Sequence, residues 1–406
     1  MKKIYLDYSG STPVDQAVLR AMEPYFAEQF GNPGGLHSFG QEAMAAVDGA
    51  RAAVERLLNA PASSEVVFTG SATEGNNLAI RGTIRNARRR MACLPVGMGE
   101  GPLRIVTSVI EHESILETCR DLETDGVEVV YLPVTREGVV DTEKLAAALN
   151  ERTALVSIMY VNNQMGAIQP IAEIGRIIAA FRESLTPKPS PLYPDKKYPL
   201  FHSDAVQGFQ YLDSDVQRLG VDFLTISAQK LYGPKGVGAL YMRDASLVAP
   251  VITGGQQQEF GKRSGTENVP GIVGLARAVE IAAERRPAET ARMRGLQERF
   301  WTRLKKAMPA TELNGPTNFA NRAPNNLSVH FPGRAGQDLI VAFDINGMAV
   351  STGAACSVRR AAPSYAIKAL GWSEERAGQT IRITMGRQTT EEDVDEAVRR
   401  IKMVIG

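Results

Sequence analysis

Apolar and polar positions alternate in blocks from about residue 65 to residue 245. Short apolar runs that are typical of strands are separated by longer stretches with helical patterns. The strand-like runs are SEVVFTG, LRIVTSV, VEVVYLPV, ALVSIMYV, PLFHSDA, VDFLTIS and GVGALYMR. The helical stretches between them are ATEGNNLAIRGTIRNARRR, ESILETCRDLETDG, TEKLAAALN and IAEIGRIIAAFRES. This alternation predicts crossover units and a mostly parallel sheet, whose active sites form at the carboxyl edge of the strands.

Two stretches interrupt the alternation. Residues 87–102 and 185–199 are rich in Pro, Gly and charge, and both are interpreted as surface insertions. A second unit begins near residue 265 with the helical pattern GIVGLARAVEIAAERR, and it ends in TTEEDVDEAVRRIKMVIG. We expect a capping box from Thr389 to Glu392 at the start of that last helix. With 406 residues, the chain is expected to form two domains.

Composition narrows the class of protein. Hydrophobic residues make up 44% and charged residues 22%, as in ordinary globular proteins, and the net charge of +1 predicts no direct nucleic-acid or membrane-surface binding. The apolar runs are shorter than the ~20 residues that span a bilayer. The N-terminal MKKIYLDYSG lacks the apolar core of a signal peptide. Three cysteines without a CxxC pair argue against a disulfide framework or a metal site, so we expect a cytoplasmic protein.

Lys230 stands in an unusual position, in the stretch TISAQKLYGPKG. Taken alone, it is most simply a surface lysine in a loop. Its neighbours favour a lysine that forms an imine, because a buried amine is more often neutral and nucleophilic. Asp204 ends the preceding predicted strand, and a carboxylate aimed at a pyridinium nitrogen is the partner of such a lysine in pyridoxal-phosphate sites. The stretch GSATEGNN turns a strand into a helix, and helix N-termini bind phosphate.

Several motifs occur in the order and at the spacing of one family. They are GSATEGNN, IEHES, VNNQMG, HSDAVQ, SAQKLYGPKGVGALY, RSGTEN, STGAACS and IRITMGRQTT. Together with LDYSGSTP near the N-terminus, they resemble the cysteine desulfurases, pyridoxal-phosphate enzymes of fold type I in the class-V aminotransferase group. The resemblance implies an α/β fold with a mostly parallel seven-stranded sheet in a large domain, and a smaller α+β C-terminal domain. It places the large domain at residues 14–262 and the small domain at residues 1–13 and 263–406.

The resemblance also implies roles for individual residues. Lys230 would hold the cofactor through an imine, and Asp204 would keep its pyridine nitrogen protonated. Gln207 would hydrogen-bond the ring hydroxyl, and His112 would stack on the ring and shuttle protons. The phosphate would be held by Ala72, Thr73, Ser227 and Gln229, and by Thr266 from the partner subunit of a homodimer. The substrate carboxylate would be held by Asn163, which also borders the cofactor, and by Arg382, whose planar fork suits a carboxylate.

Cys356 is the cysteine with the most suggestive surroundings. It lies in STGAACSVRRAAPS, a polar stretch in which Arg359 and Arg360 would favour the reactive thiolate. By resemblance, Cys356 attacks the sulfur of L-cysteine and becomes a persulfide, on a long catalytic loop. Cys93, in an insertion, and Cys119, in a helical pattern, are weaker candidates.

The implied activity is that of a cysteine desulfurase. L-cysteine becomes L-alanine, and the persulfide sulfur passes to an iron–sulfur scaffold or to a protein of tRNA or cofactor thiolation. A selenocysteine lyase or a class-V aminotransferase on the same fold is the nearest alternative, although an aminotransferase has no need of Cys356. A scaffold subunit without catalysis is a more remote alternative, since Lys230, Asp204, His112 and Arg382 are all present.

Three features depart from the family pattern. Gln229 precedes the lysine where the family has histidine, so phosphate contact can persist while a possible positive charge is lost. Gly70 and Ser71 stand in reverse order in many members, which affects one hydroxyl contact. The chain ends soon after its last helical pattern, whereas housekeeping bacterial members carry a tail that docks the scaffold. We interpret His202 as a packing residue and His37 as a structural one.

Overall fold

The computed structural model describes residues 2–92, 101–185, 198–255, 257–353 and 363–406. Several predictions concern residues outside this part of the chain: Cys93, Cys356, Arg359, Arg360 and most of the two insertions.

Strands and helices alternate through the first two thirds of the chain. The strands are β1 (Ile4–Tyr5), β2 (Val66–Thr69), β3 (Arg104–Ser108), β4 (Glu128–Leu132), β5 (Thr153–Ser157), β6 (Leu200–Asp204), β7 (Phe223–Ser227), β8 (Gly238–Met242), β9 (Glu312–Leu313), β10 (Asn326–His330), β11 (Met348–Ala349) and β12 (Thr380–Thr384). The helices are α1 (Gln16–Met22), α2 (Pro24–Ala27), α3 (Ser38–Leu58), α4 (Ala72–Ala92), α5 (Glu113–Thr124), α6 (Thr142–Ala148), α7 (Ile171–Ser184), α8 (Val216–Leu219), α9 (Val269–Ala307), α10 (Gly336–Ile345), α11 (Tyr365–Ala369), α12 (Glu374–Gly378) and α13 (Glu391–Ile405). None of the helices in the described residues has the length and apolar character needed to cross a membrane.

The largest sheet has seven strands in the order β2-β8-β7-β6-β5-β3-β4. Neighbours from β7 to β4 pair in parallel, whereas β8 runs antiparallel to both β7 and β2. The mostly parallel sheet of seven strands is therefore confirmed. Six of its strands fall within runs that the sequence pattern predicts, and β5 begins one residue before its predicted run.

Helices cover both faces of this sheet. On one face, alternate residues such as Val106, Phe201 and Leu224 pack with α3, α7 and the first half of α9. On the other face, their neighbours Ile105 and Leu200 pack with α4 and α5. Strands that are buried on both sides carry apolar residues at nearly every position, which explains their continuous apolar runs.

A second core lies around the short antiparallel sheet β12-β10-β9. The second half of α9, from Met293 to Leu304, packs there together with α10 and α13. Ile4 and Leu6 join this core, and β1 pairs with β11. The N-terminus thus packs with the C-terminal part of the chain, and the domain boundaries at residues 13/14 and 262/263 stay a prediction.

The predicted capping box of α13 is wrong by one residue. The observed box joins Thr390 and Asp393: the Asp393 amide donates to Thr390 Oγ1 at 3.2 Å, and the Thr390 amide donates to Asp393 Oδ2 at 3.1 Å. The hydroxyl of Thr389 instead accepts from the Gly386 amide at 3.0 Å. Because that turn already uses Thr389, the helix begins one residue later.

A buried ion pair holds the segment that follows β8. Both Nη atoms of Arg51, on α3, donate to the carboxylate of Glu259 at 2.8 and 2.9 Å. The Arg51 and Glu259 side chains are only 6% and 2% exposed. Glu259 and Phe260 have φ values of 44° and 54°, a left-handed conformation that non-glycine residues rarely adopt. The ion pair therefore stabilises a strained turn.

We predict that Glu259→Gln lowers the free energy of unfolding by about 3 kcal/mol, because it leaves the Arg51 cation buried without a counter-charge. The measurement is the urea midpoint of unfolding. Arg120→Ala, which breaks an exposed pair with Glu117 on α5, is the control and is expected to change the midpoint little. Equal midpoints for Glu259→Gln and the unmodified protein would contradict the role of this pair.

Candidate active site

A cavity of about 340 Å³ lies at the carboxyl edge of the large sheet. It gathers residues that follow the ends of β3, β5, β6 and β7, together with residues from the N-terminus and from β12. The predicted site residues that line it are Ala72, Thr73, His112, Asn163, Asp204, Gln207, Ser227, Gln229, Lys230 and Arg382.

Thr266 lies elsewhere. It borders a second pocket, of about 250 Å³, with Tyr25 from α2 and with Phe30 and Asn32 from the region between α2 and α3. Thr266 is therefore not brought to the cavity of its own chain. Cys356 lies outside the described residues, but Gly353 and Tyr365, on either side of its stretch, both line the cavity.

Lys230 reaches the cavity through a tight turn. It closes a single 3₁₀ turn, Ala228–Lys230, directly after β7. Its Nζ donates to the carbonyl oxygen of Gly10. Two residues later, Tyr232 has a φ of 63°, and its amide donates to Thr12 Oγ1 at 2.9 Å. This left-handed residue turns the chain back into β8 and leaves Lys230 at the edge of the sheet.

Asp204 ends β6 and is only 6% exposed. Its Oδ1 accepts from the Val206 amide at 3.0 Å, and its Oδ2 accepts from Asn76 Nδ2, on α4, at 2.9 Å. Both described donors are neutral, so the carboxylate is oriented while its negative charge stays available to a cationic ligand. Gln207, which follows it, donates through Nε2 to the Ser9 carbonyl at 3.1 Å.

His112 is the N-cap of α5. The Ser114 amide donates to its Nδ1 at 3.1 Å. A backbone amide can only donate, so Nδ1 is an acceptor and the proton of the neutral ring is assigned to Nε2. His112 therefore offers an N–H donor on the side of the ring away from the helix.

The turn for which the sequence predicts phosphate binding lies at the start of α4. Ser71 caps this helix, since the Glu74 amide donates to Ser71 Oγ at 3.2 Å. Ser71, whose order with Gly70 departs from the family pattern, therefore serves as a helix cap. Gly238 on β8 allows the close approach of this turn, because a Cβ there would lie 3.1 Å from the Ala72 nitrogen. The dipole of the 21-residue helix points its positive end at the cavity wall.

Arg382 is 98% buried on β12 and is held from two sides. Its Nη2 lies 2.6 Å from Asp7 Oδ1, and its Nη1 donates to the Asn163 carbonyl at 3.1 Å. Among the described residues, neither Nε of Arg382 nor Oδ1 of Asn163 has a hydrogen-bond partner. Buried polar atoms without partners are uncommon, and here both belong to residues that line the same cavity.

The cavity also contains residues that sequence reasoning did not single out. Ser9 and Gly10 come from the N-terminal segment, and Tyr365 comes from the start of α11. The Tyr365 hydroxyl donates to the Glu111 carbonyl at 2.5 Å, next to His112. The partners of Gly10 and Tyr365 lie 220 and 254 positions away in the chain, and no local pattern identifies contacts of that separation.

Two weaker candidates are buried outside the cavity. His202 is fully buried in β6, and its ring nitrogens contact Ser157 Oγ at 2.8 Å and Thr225 Oγ1 at 3.0 Å. Burial lowers its pKa to about 3, so the ring is neutral. Cys119 is buried on α5, where burial raises the pKa of its thiol to about 12 and makes it unreactive. His37 is the N-cap of α3, which agrees with a structural role.

Comparisons with known proteins agree on one family. The sequence profile of the class-V aminotransferases matches residues 4–186 and 191–397. Cysteine desulfurase IscS of Dictyoglomus turgidum is 39% identical over 405 residues, covering 100% of this chain and 95% of that protein. A solved NifS-like protein is 34% identical with a TM-score of 0.85, covering 99% of both chains. A structure of SspA in complex with cysteine is 34% identical with a TM-score of 0.76, covering 94% of this chain and 98% of the other.

The chain therefore belongs to the class-V aminotransferase family, within its cysteine desulfurase branch. The fold-type I architecture that the sequence motifs imply is confirmed.

Glu111, which precedes His112, is a fully buried carboxyl group. Ser108 Oγ donates to its Oε1 at 2.5 Å, and the Met159 amide donates to its Oε2 at 2.9 Å. Burial raises its pKa to about 8, and the nearby Asp204 adds to the increase. Glu111 is thus protonated over much of the pH range in which an exposed glutamate is ionised.

We predict that the stability of Glu111→Gln relative to the unmodified protein increases as the pH rises from 5.5 to 7.5. Over this interval the folded protein retains the Glu111 proton, whereas the unfolded chain loses it near the ordinary value of 4.5, so the unmodified protein loses stability as the pH rises. Glutamine does not titrate and escapes this loss. The test is the urea midpoint of both proteins at each pH, and a constant difference between them would contradict the raised pKa.

Proposed function

We propose that this protein is a cysteine desulfurase, which converts L-cysteine to L-alanine and transfers the sulfur to Cys356. The observation that carries the proposal is the single cavity that joins Lys230, Asp204, His112 and Arg382. An amine, an acceptor carboxylate, a ring donor and a guanidinium are thereby available to one small amino-acid substrate. The family membership and the printed names of the relatives support the same activity.

The cavity fits pyridoxal 5'-phosphate. Asp204, whose described donors are neutral, would accept from the pyridinium nitrogen, and Lys230 would bind the cofactor covalently. The start of α4, with Thr73, and Ser227 would hold the phosphate, for which the helix N-terminus is suited. When bound, this cofactor supplies an electron sink for the electron pair at the substrate Cα.

The chain's own residues would bind the substrate and move its protons. Arg382 would bind the α-carboxylate. The Oδ1 of Asn163, which has no hydrogen-bond partner among the described residues, would accept from the substrate amino group or a water. Lys230 Nζ would take the Cα proton and return one during formation of alanine. His112, with its proton on Nε2, would donate within the cavity.

Cys356 would receive the sulfur. In the net reaction, the substrate Cβ–S bond breaks and a bond forms between that sulfur and Cys356 Sγ. The substrate Cβ keeps the electron pair of the broken bond and gains a proton, which balances the proton that the Cys356 thiol loses. The carbon skeleton leaves as L-alanine, while Cys356 becomes a persulfide. We expect this sulfur to pass to a protein acceptor in the cytoplasm, either an iron–sulfur scaffold or a protein of tRNA or cofactor thiolation.

We also propose that the protein acts as a homodimer, in which Thr266 contacts the cofactor phosphate of the partner subunit. Large apolar side chains are exposed in the stretch of chain that contributes Phe30 to the pocket of Thr266: Phe26 and Phe30 at 66%, and Leu36 at 94%. Exposed apolar side chains of this size are typical of an interface between protein chains. A second copy would cover them and would bring Thr266 to another cavity.

The first prediction from this proposal concerns the reaction. Incubation with L-cysteine is expected to yield L-alanine and a Cys356 persulfide, both detected by mass spectrometry. Lys230→Ala should lower alanine formation at least ~100-fold, because the residue that moves the proton is missing. Cys356→Ser should retain the coloured cofactor but lose sulfur transfer, whereas Cys119→Ser should keep full activity. Full-rate sulfide release by Cys356→Ser would refute the proposed role of Cys356.

The second prediction concerns the assembly. Sedimentation analysis should give a dimer, and Phe30→Asp combined with Leu36→Asp should shift it toward monomer and lower the affinity for pyridoxal phosphate. The reason is that the charged side chains would be buried in the interface and that Thr266 would no longer reach the partner's site. Met403→Asp, at a half-exposed position on α13, is the control and should remain a dimer. A monomeric unmodified protein with full activity would contradict the dimer.

A further inference from the structure

The N-terminal segment, residues 7–12, forms one wall of the cavity. Ser9 and Gly10 line it directly. The carbonyl oxygens of these two residues accept from Gln207 Nε2 and Lys230 Nζ. Thr12 donates through its amide and its hydroxyl to the Gln229 carbonyl, at 3.1 and 3.0 Å. A segment from outside the large sheet thus contacts three predicted cofactor-binding residues.

Asp7 begins this segment and contacts a fourth predicted residue, Arg382. The distance from Asp7 Oδ1 to Arg382 Nη2 is 2.6 Å. The Arg382 side chain is 3% exposed, so its charge needs a close partner, and Asp7 is the carboxylate that the structure pairs with it. Without Asp7, the described contacts of this guanidinium would reduce to the Asn163 carbonyl.

The position of Asp7 is fixed by its surroundings. Its carbonyl accepts from the Gly10 amide at 2.9 Å and from the Tyr5 hydroxyl at 3.0 Å. The chain turns so tightly that a Cβ at position 10 would lie 2.3 Å from Asp7 Oδ2. Asp7 also forms a backbone bridge with Thr384, two residues after Arg382 on β12. The carboxylate is therefore held against Arg382 by the turn and by the neighbouring strand.

Asp7 occupies only part of the guanidinium. Its described contact is to one nitrogen, Nη2, whereas Nε has no partner among the described residues. A substrate carboxylate that displaced Asp7 would force the buried Arg382 side chain to exchange one anionic partner for another. A substrate carboxylate that bound the guanidinium donors not used by Asp7 would instead meet a side chain that is already oriented and whose charge is already partly balanced.

We propose that Asp7 is a positioning residue for substrate recognition: it holds one end of the Arg382 guanidinium so that the remaining donors receive the α-carboxylate of the amino-acid substrate. This inference rests on the proposed function, because it assigns Arg382 to the substrate. It adds a residue of the N-terminal segment to the recognition machinery.

The experiment compares ligands with and without a carboxylate. The cofactor-loaded Asp7→Asn variant is titrated with L-alanine and with ethylamine, which lacks the carboxylate, and binding is followed by the change in cofactor absorbance. The L-alanine affinity should fall roughly tenfold, as expected for loss of an aligned charge-assisted contact, while the ethylamine affinity stays the same. The KM for L-cysteine should rise by a similar factor, with a smaller change in kcat.

Asp15→Asn is the matched control. Asp15 is another N-terminal aspartate that pairs with a buried arginine beyond β12: its Oδ2 lies 3.3 Å from Arg387 Nη1, and neither residue lines the cavity. This variant should leave both affinities unchanged. Asp7→Glu keeps the charge and should recover most of the L-alanine affinity. If Asp7→Asn fails to fold, Asp7→Glu still tests the proposal through a smaller weakening confined to L-alanine.

Three results would overturn the proposal. A lower KM for Asp7→Asn would mean that Asp7 competes with the substrate. Equal losses for L-alanine and ethylamine, or the same loss in Asp15→Asn, would mean that Asp7 only supports the structure. Failure of the unmodified protein to release sulfur from L-cysteine would instead refute the proposed function, and the two binding titrations would still report on Asp7.

Discussion

Burial of the large sheet on both faces is the constraint on which the rest of the structure depends. Alternate residues of its strands pack into two separate helical layers, so no interior position tolerates an unpaired charge. The charged side chains that this sheet contributes to the cavity therefore lie at or just beyond the ends of its strands. Asp204 ends β6, Lys230 follows β7 by one turn, and His112 caps the helix after β3. The cavity forms where these ends meet.

The sheet alone does not complete the site, since the guanidinium comes from β12, in a different sheet, and its counter-charge comes from the N-terminus. The pair of Arg382 with Asp7 and the pair of Arg51 with Glu259 follow the same rule: a buried cation needs a fixed anion. In each case the anion lies on an irregular segment far away in the chain. These pairs consequently hold segments without regular structure against the two cores. The pair of Arg382 with Asp7 also fixes a residue that lines the cavity.

Features of the structure could be predicted from the sequence where they depend on residues close together in the chain. The strand runs, the helix after GSATEGNN and the strand-end positions of Asp204 and Lys230 follow from periodicity and turn residues. An error arose where a side chain had two possible partners. Thr389 hydrogen-bonds within a turn, so the capping box of α13 lies at Thr390 instead. A sequence pattern does not specify which of two nearby amide donors will hydrogen-bond to a hydroxyl.

The sequence by itself determined the fold class, the family and half of the residues that line the cavity, because these depend on short-range patterns and on motifs kept in order. Only the tertiary structure decided that the N-terminal segment forms a wall of the cavity, that Asp7 meets Arg382, and that Thr266 stands apart from the cavity of its own chain. These contacts join residues hundreds of positions apart. They arise from the packing of whole elements, which no local pattern of residues encodes.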